Sequence, residues 1–287
     1  MSTTKPLASD ASTAAQQAAL VDCLRGYGSC LVALSAGVDS AVVAKAAQVA
    51  LGAKAVAVTG QSASLASGEL EQAIELGRQI GIRHEVVATQ EFGKAEYLAN
   101  APDRCYHCKT ELYTQLESIA ARLGARVIAN GANVDDQGDY RPGMNAAREH
   151  QVRSPLLECG LGKEAVRRLA AAWGLPIWDK PATPCLSSRV AYGEEVTPER
   201  LAMIDGAEQC LRRLGLRELR VRYHRGDLAR IEVPVEAIGG LVAPAVRETL
   251  VADLQALGFK FVTLDLAGFR SGSLNALVLH DIQPMNG

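Results

Sequence analysis

ALSAGVDSAVVA, residues 33–44, is the stretch on which the fold turns. A short apolar run ends at Ser35, a loop of small residues follows, and a helical pattern opens at Asp39-Ser40. Small residues let backbone N–H groups face a ligand, and the new helix N-terminus adds positive partial charge at the same point. The hydroxyls of Ser35 and Ser40 can donate to phosphate oxygens, and Asp39 can help hold Mg²⁺ on a pyrophosphate. The same residues also suit a tight βα turn with an Asp-Ser cap and no ligand. No Gly-Lys-Ser/Thr follows, which argues against a Walker loop that transfers a γ-phosphate.

Outward from this loop, apolar runs of strand length alternate with amphipathic segments. Strands are expected at 29–35, 53–60, 83–89 and 125–131, and helices at 39–52, 67–82, 109–124 and 162–174. Strands interleaved with helices predict an α/β domain, a parallel sheet with helices on both faces. Beyond about residue 188 the rhythm changes. A helix at 197–215, strands at 216–224 and 228–234 around the turn Arg225-Gly226-Asp227, a helix at 244–258 and a strand at 259–266 predict a smaller α+β domain. The expected organisation is a loose tail over 1–15, a main domain over 16–188 and the smaller one over 189–287.

The 287 residues are 48% hydrophobic and 22% charged, with a net charge of −2. This is a globular composition without an overall basic footprint for nucleic acid. No apolar run approaches the ~20 residues of a membrane span. The first twenty residues lack the basic flank and apolar core of a secretory signal, so a cytoplasmic protein is expected. The seven cysteines, an odd number, do not suggest a disulfide framework. Cys23, Cys30, Cys159 and Cys210 read as structural, and Trp173 and Trp178 as core packing. Cys105 and Cys108, in DRCYHCK, have a spacing that suits two ligands on one metal centre, though a structural pair is equally compatible. Arg104 and Lys109 beside them would favour thiolates.

SAGVDS (35–40) resembles the SGGxDS loop of the PP-loop ATP pyrophosphatases, which adenylate a carbonyl or carboxyl oxygen and release pyrophosphate. Ala36 stands where that pattern has its first glycine, and alanine fits there if its φ stays negative. NGANVDDQGDYRPG (130–143), RSPLLECGLGKEAVRRLA (153–170), WDKPATPCLSSR (178–189) and GFRSGSLN (268–275) resemble the LarE family, sulfur transferases that build the nickel-pincer nucleotide cofactor of lactate racemase. That resemblance covers nearly the whole chain. It implies ATP contacts from Ser35, Gly37, Val38, Asp39, Ser40, Gly131 and Asp135, with Asp39 on Mg²⁺. It also implies a central role for Cys185: in one branch of the family the matching cysteine gives up its own sulfur. In another, this cysteine and an upstream C-x-x-C pair, here Cys105 and Cys108, hold a [4Fe–4S] cluster whose fourth iron can carry sulfide from an outside source.

The substrate implied is a pyridinium dicarboxylate mononucleotide, whose phosphate needs cations. Arg220, Arg222 and His224 fall on one face of a strand, and Arg230 and Glu232 on one face of the next. An exposed strand face laced with ion pairs would show the same pattern. Arg189 and Arg270 lie within the motifs above and complete the expected phosphate set. Asp135, Asp136 and Arg141 sit on the loop after the fourth strand, where they could meet Mg²⁺ or ATP or only order the loop. Self-association is expected from the family. The rivals are the single-turnover use of Cys185, a cluster-dependent tRNA thiolase, which the slightly acidic composition disfavours, and a nucleotide-binding sensor with an Fe–S or zinc centre.

Overall fold

The computed structural model describes residues 10–138 and 142–270. Strand β1 (Cys30–Ala33) lies inside a four-stranded parallel sheet of order β3-β2-β1-β4, with β2 (Ala55–Gln61), β3 (Arg83–Ala88) and β4 (Val127–Ala129). Cys30 pairs in register with Ala55 on one side and Val127 on the other. Side chains alternate across a strand, so Cys30 and Val32 enter one core and Leu31 the other. The first core is covered by α1 (Asp10–Tyr27), α2 (Val38–Leu51), α3 (Glu69–Ile80) and α8 (Lys163–Ala172). The second is covered by α5 (Arg104–Leu123) and α6 (Gly143–Glu149).

Because α2 contacts β1, β2, α1, α3 and α8, it is buried almost all round. That is why its sequence is so apolar: little of its surface faces solvent, and Asp39 and Lys45 are its two charged residues. Each buried Leu or Val in this layer contributes about 1.5–3 kcal/mol.

The chain divides between two compact units. The first takes the described residues up to Ser62, with Gly68–Gln90 and Cys105–Thr183. The second takes Ala63–Ser67, Glu91–Arg104 and the described residues from Pro184 onward. The expected boundary at 188/189 therefore falls at 183/184, and two earlier stretches also leave the first unit. The second unit is built on a three-stranded sheet, β5 (Arg220–His224), β6 (Leu228–Glu232) and β7 (Phe261–Leu264), antiparallel then parallel. It also carries α4 (Ala95–Leu98), α9 (Pro198–Arg213), α10 (Val235–Leu241) and α11 (Pro244–Ala256). The β5–β6 turn works because Gly226 and Asp227 both take left-handed backbone, at φ 81° and 57°. Short α7 (Pro155–Glu158) belongs to the first unit.

Three expectations change here. The tail was expected to run to residue 15, but α1 begins at Asp10. α5 was expected to start at Lys109, but it starts at Arg104 and takes in the C-x-x-C pair. Trp173 packs against the core, whereas Trp178 is 48% exposed. No helix among the described residues is long and apolar enough to cross a membrane.

Candidate active site

The loop between β1 and α2 is held by one hydroxyl. Ser40 Oγ accepts from the Ser35 N–H at 3.1 Å, lies 3.2 Å from Ser35 Oγ and donates to the Gly37 carbonyl at 3.0 Å. Ser40 is buried and therefore shapes the loop, while Ser35 is the exposed hydroxyl beside it. Ala36 corrects the sequence expectation of a negative φ. Its φ is +54°, and the residue is buried. The glycine of the related pattern would sit there without strain; alanine does not.

Gly131, after β4, explains its own identity. A Cβ on it would stand 2.7 Å from the Ser40 backbone nitrogen and 3.0 Å from Asp39 C and Ser40 Cα. The first turn of α2 is thus seated directly on the backbone at Gly131.

Burial and the nearby Asp136 carboxylate push the Asp39 carboxyl above its usual range. The Asn133 amide, Lys163 and Arg167 act in the opposite sense. Asn133 is fully buried, and its Nδ2 makes no hydrogen bond among the described residues. Two carboxylates that repel, at the mouth of a loop of small residues, fit a divalent cation of oxygen-ligand type. Asp136, rather than Asp135, is the partner of Asp39. Asp135 Oδ2 accepts from the Lys163 backbone N–H at 2.6 Å and so caps α8.

Cys105 and Cys108 lie on the first turn of α5, one turn apart and on one helix face. Cys105 is exposed and Cys108 half-buried. Thiols so spaced at a helix N-terminus fit two ligands on one metal centre. Arg104, expected to assist them, instead is buried and donates to the Ser187 carbonyl at 2.7 Å and to Asn100 Oδ1. Among the described residues no three His, Cys, Asp or Glu side chains are gathered as a metal-holding group. No disulfide joins any of the seven cysteines, all of which are described. Burial pushes the Cys30 thiol up to about 12, in keeping with a structural role.

In the second unit, the backbone around Cys185 is tied down by several hydrogen bonds. Cys185 precedes a 3₁₀ turn, Leu186–Arg189, and its carbonyl accepts from Arg189 Nη1 at 2.9 Å and Ser188 Oγ at 2.7 Å. Arg189 is fully buried; it also donates to the Pro184 carbonyl, and to the two carboxylate oxygens of Glu208 at 3.0 and 3.3 Å. Tyr97 Oη meets Ser187 Oγ at 2.7 Å, and the Leu186 N–H donates to the Ser64 carbonyl. Asn100 Nδ2 donates to the carbonyls of Val190, Ala191 and Glu194. Cys185 itself is half-buried.

The expected phosphate set separates accordingly. Arg189 scaffolds the cysteine loop. Arg222 is buried against Glu232 at 2.9 Å and donates to the Ser188 carbonyl at 3.0 Å. Arg230 pairs with Glu232 and Asp265, so this strand face is an internal ion-pair network rather than a solvated one. Arg220 stacks on the Phe269 ring at 5.2 Å. Burial, with Arg189 nearby, pushes its pKa down to about 10, while Glu208 acts in the opposite sense. Arg270 is exposed. Arg141 and residues 271–275 of the last motif lie outside the described residues.

The chain is 38% identical over 266 residues to the pyridinium-3,5-bisthiocarboxylic acid mononucleotide synthase of Lactiplantibacillus plantarum, covering 92% of this chain and 95% of the relative. It belongs to the LarE family. As a LarE-family enzyme the chain is an ATP-dependent sulfurtransferase. A Synechocystis protein of uncharacterized function is 49% identical over 86% of this chain and 92% of its own length. The tRNA-specific 2-thiouridylase MnmA of Xanthobacter autotrophicus is 31% identical over 53% of this chain and 48% of its own, in line with the PP-loop fold. No protein-family profile matches the chain. Two residues at this site, Asn133 and Lys180, carry no sequence signal beyond the motifs that contain them, whereas Asp136 is among the residues that the sequence offers to Mg²⁺.

Proposed function

We propose that the enzyme adenylates the carboxylates of a pyridinium-3,5-dicarboxylate mononucleotide and converts them to thiocarboxylates. A carboxylate is a poor electrophile. Its oxygen attacks the α-phosphorus of ATP, the bond to the bridging oxygen breaks, and pyrophosphate leaves. Sulfur then displaces AMP from the acyl carbon. The loop at Ser35–Ser40 receives the pyrophosphate through backbone N–H groups and the α2 N-terminus. Asp39 and Asp136 would hold Mg²⁺, which offsets the phosphate charge.

The substrate phosphate is assigned to Arg220, with Arg270, while Arg189 and Arg222 act through the backbone they hold. Gly37, Val38 and Gly131 contribute backbone surface to the ATP site, and Asp135 contributes by capping α8. Cys105, Cys108 and Cys185 would hold a [4Fe–4S] cluster, which when bound supplies an open iron site for sulfide from an outside donor. The observation that carries the reading is the Cys185 loop, clamped by buried Arg189, Arg222 and Arg104 around a thiol left accessible. We further place the enzyme in the cytoplasm as a homo-oligomer.

Anaerobic purification with iron and sulfide analysis tests the cluster: wild type is brown, and Cys105→Ala, Cys108→Ala and Cys185→Ala are not. Colourless wild type after reconstitution defeats it. Loss of H₂S mass at Cys185 after turnover supports the sacrificial route instead. Absence of substrate-dependent pyrophosphate release would overturn the adenylation reading.

A further inference from the structure

Ala36 raises a question that the reaction itself leaves open: what keeps an L-residue in left-handed backbone at the centre of the ATP loop. At φ +54° alanine is disfavoured relative to glycine by roughly 5- to 30-fold in population. Such a conformation persists only when its surroundings over-determine it. The Ala36 carbonyl accepts from Lys180 Nζ at 3.1 Å.

Lys180 is itself held from several sides. Its ammonium donates to Gln72 Oε1 at 2.9 Å and lies 4.0 Å from the Glu69 carboxylate, both on α3. Its own backbone carbonyl accepts from Arg167 Nη2 at 2.9 Å, and the Trp178 carbonyl accepts from Arg167 Nη1 at 3.0 Å. Arg167 stands on α8, the helix that Asp135 caps. A flexible side chain is thus fixed at its base by α8 and at its tip by α3, with the ATP loop as the third point of attachment.

We infer that Lys180 is a positioning residue that locks the loop in the strained left-handed form required for ATP, and that it is needed because position 36 is alanine. The adenylation reading supplies the enzymatic assay, and the inference rests on it in that respect. With the lock in place, the Gly37–Asp39 segment enters α2 in the geometry that presents its N–H groups. Without it, Ala36 relaxes toward negative φ and the loop turns away. Glycine at position 36 would remove the preference that the lysine opposes.

The test is a double-mutant cycle with Lys180→Met, Ala36→Gly and the double variant. It is read as kcat and KM for ATP in substrate-dependent pyrophosphate release, and as Mg-ATP affinity by calorimetry. In the alanine background, Lys180→Met raises the KM for ATP about 5- to 30-fold with a smaller change in kcat. In the glycine background the same substitution changes KM by less than about threefold relative to Ala36→Gly alone. Lys180→Arg, which keeps a donor, recovers part of the loss. Thermal melting of each variant confirms folding; should Lys180→Met fail to fold, Lys180→Gln enters the same cycle. Equal losses in both backgrounds, or no loss in either, overturn the inference. If wild type binds Mg-ATP but releases no pyrophosphate, the adenylation reading fails while the calorimetric cycle still decides the role of Lys180.

Discussion

Gly131→Ala places a methyl group where the structure has no room. The new Cβ would lie 2.7 Å from the Ser40 backbone nitrogen, and must move by about 0.7 Å to reach the 3.4 Å of an ordinary contact. Every atom it meets is backbone of the first turn of α2, so no side chain can swing aside. Overpacking of this kind costs about 1–3 kcal/mol, which lowers Tm by roughly 2–12 °C in a domain of this size. The functional effect exceeds the stability effect, because the atoms displaced are those that face the pyrophosphate. A misplacement near 1 Å costs about a hundredfold, so pyrophosphate release should fall by about ten- to a hundredfold at saturating substrate, with KM for ATP raised. Thermal melting and a coupled pyrophosphate assay measure both. A variant with wild-type Tm, kcat and KM would refute the claim that the loop after β4 seats the ATP loop.

Glu208→Gln leaves fully buried Arg189 without its carboxylate and with one of its two acceptor oxygens replaced by an amide donor, so a loss of about 3–5 kcal/mol is expected by chemical denaturation. Asn100→Ala breaks three bonds to carbonyls between residues 190 and 194, and also puts alanine at φ 52°. A loss of at least about 3 kcal/mol, with weakened sulfur transfer, should follow. The raised pKa of Asp39 means that the native state resists its ionisation, so this group's contribution to stability declines as pH rises from the ordinary carboxylate pKa to the raised one. Asp39→Asn should therefore raise the Tm of the ATP-free protein at neutral pH while abolishing Mg²⁺-dependent pyrophosphate release. In the wild type, the acid limb of kcat/KM for Mg-ATP should lie above the usual carboxylate range.

Sequence pattern conveyed the parallel sheet because its strands are short, apolar and bounded by glycines, and because α3 shows acidic residues in its first turn and an αL glycine, Gly81, at its end. α1 went unread because its Ala-rich sequence has little amphipathic contrast. The start of α5 is hard to place from pattern because its first turn, Arg104–His107, lacks the apolar periodicity of the rest of the helix. The ATP loop was recognised but its strain was not, since alanine is an ordinary residue until its φ is known. Arg189 read as a phosphate ligand from its motif. What makes it a scaffold is Glu208, nineteen residues away on α9, a pairing no local pattern encodes. The stretches 63–67 and 91–104 join the second unit through contacts at long sequence separation, which periodicity cannot detect.

Those two stretches have a consequence on the ribosome. Asn100 leaves the peptidyl-transfer centre long before the carbonyl of Ala191, its partner 91 residues onward. At translation speeds of roughly 5–20 residues per second, that interval is about 5–20 s. For that time Tyr97, Asn100 and Arg104, destined to be buried and bonded to residues 187–194, wait for that share of their native bonds. The first unit can gather its sheet as it emerges, but the cradle of Cys185 closes only after its last strand of chain has been made. The Cys185 loop is therefore assembled late in the life of the nascent chain, and premature termination after residue 183 yields a sheet without it.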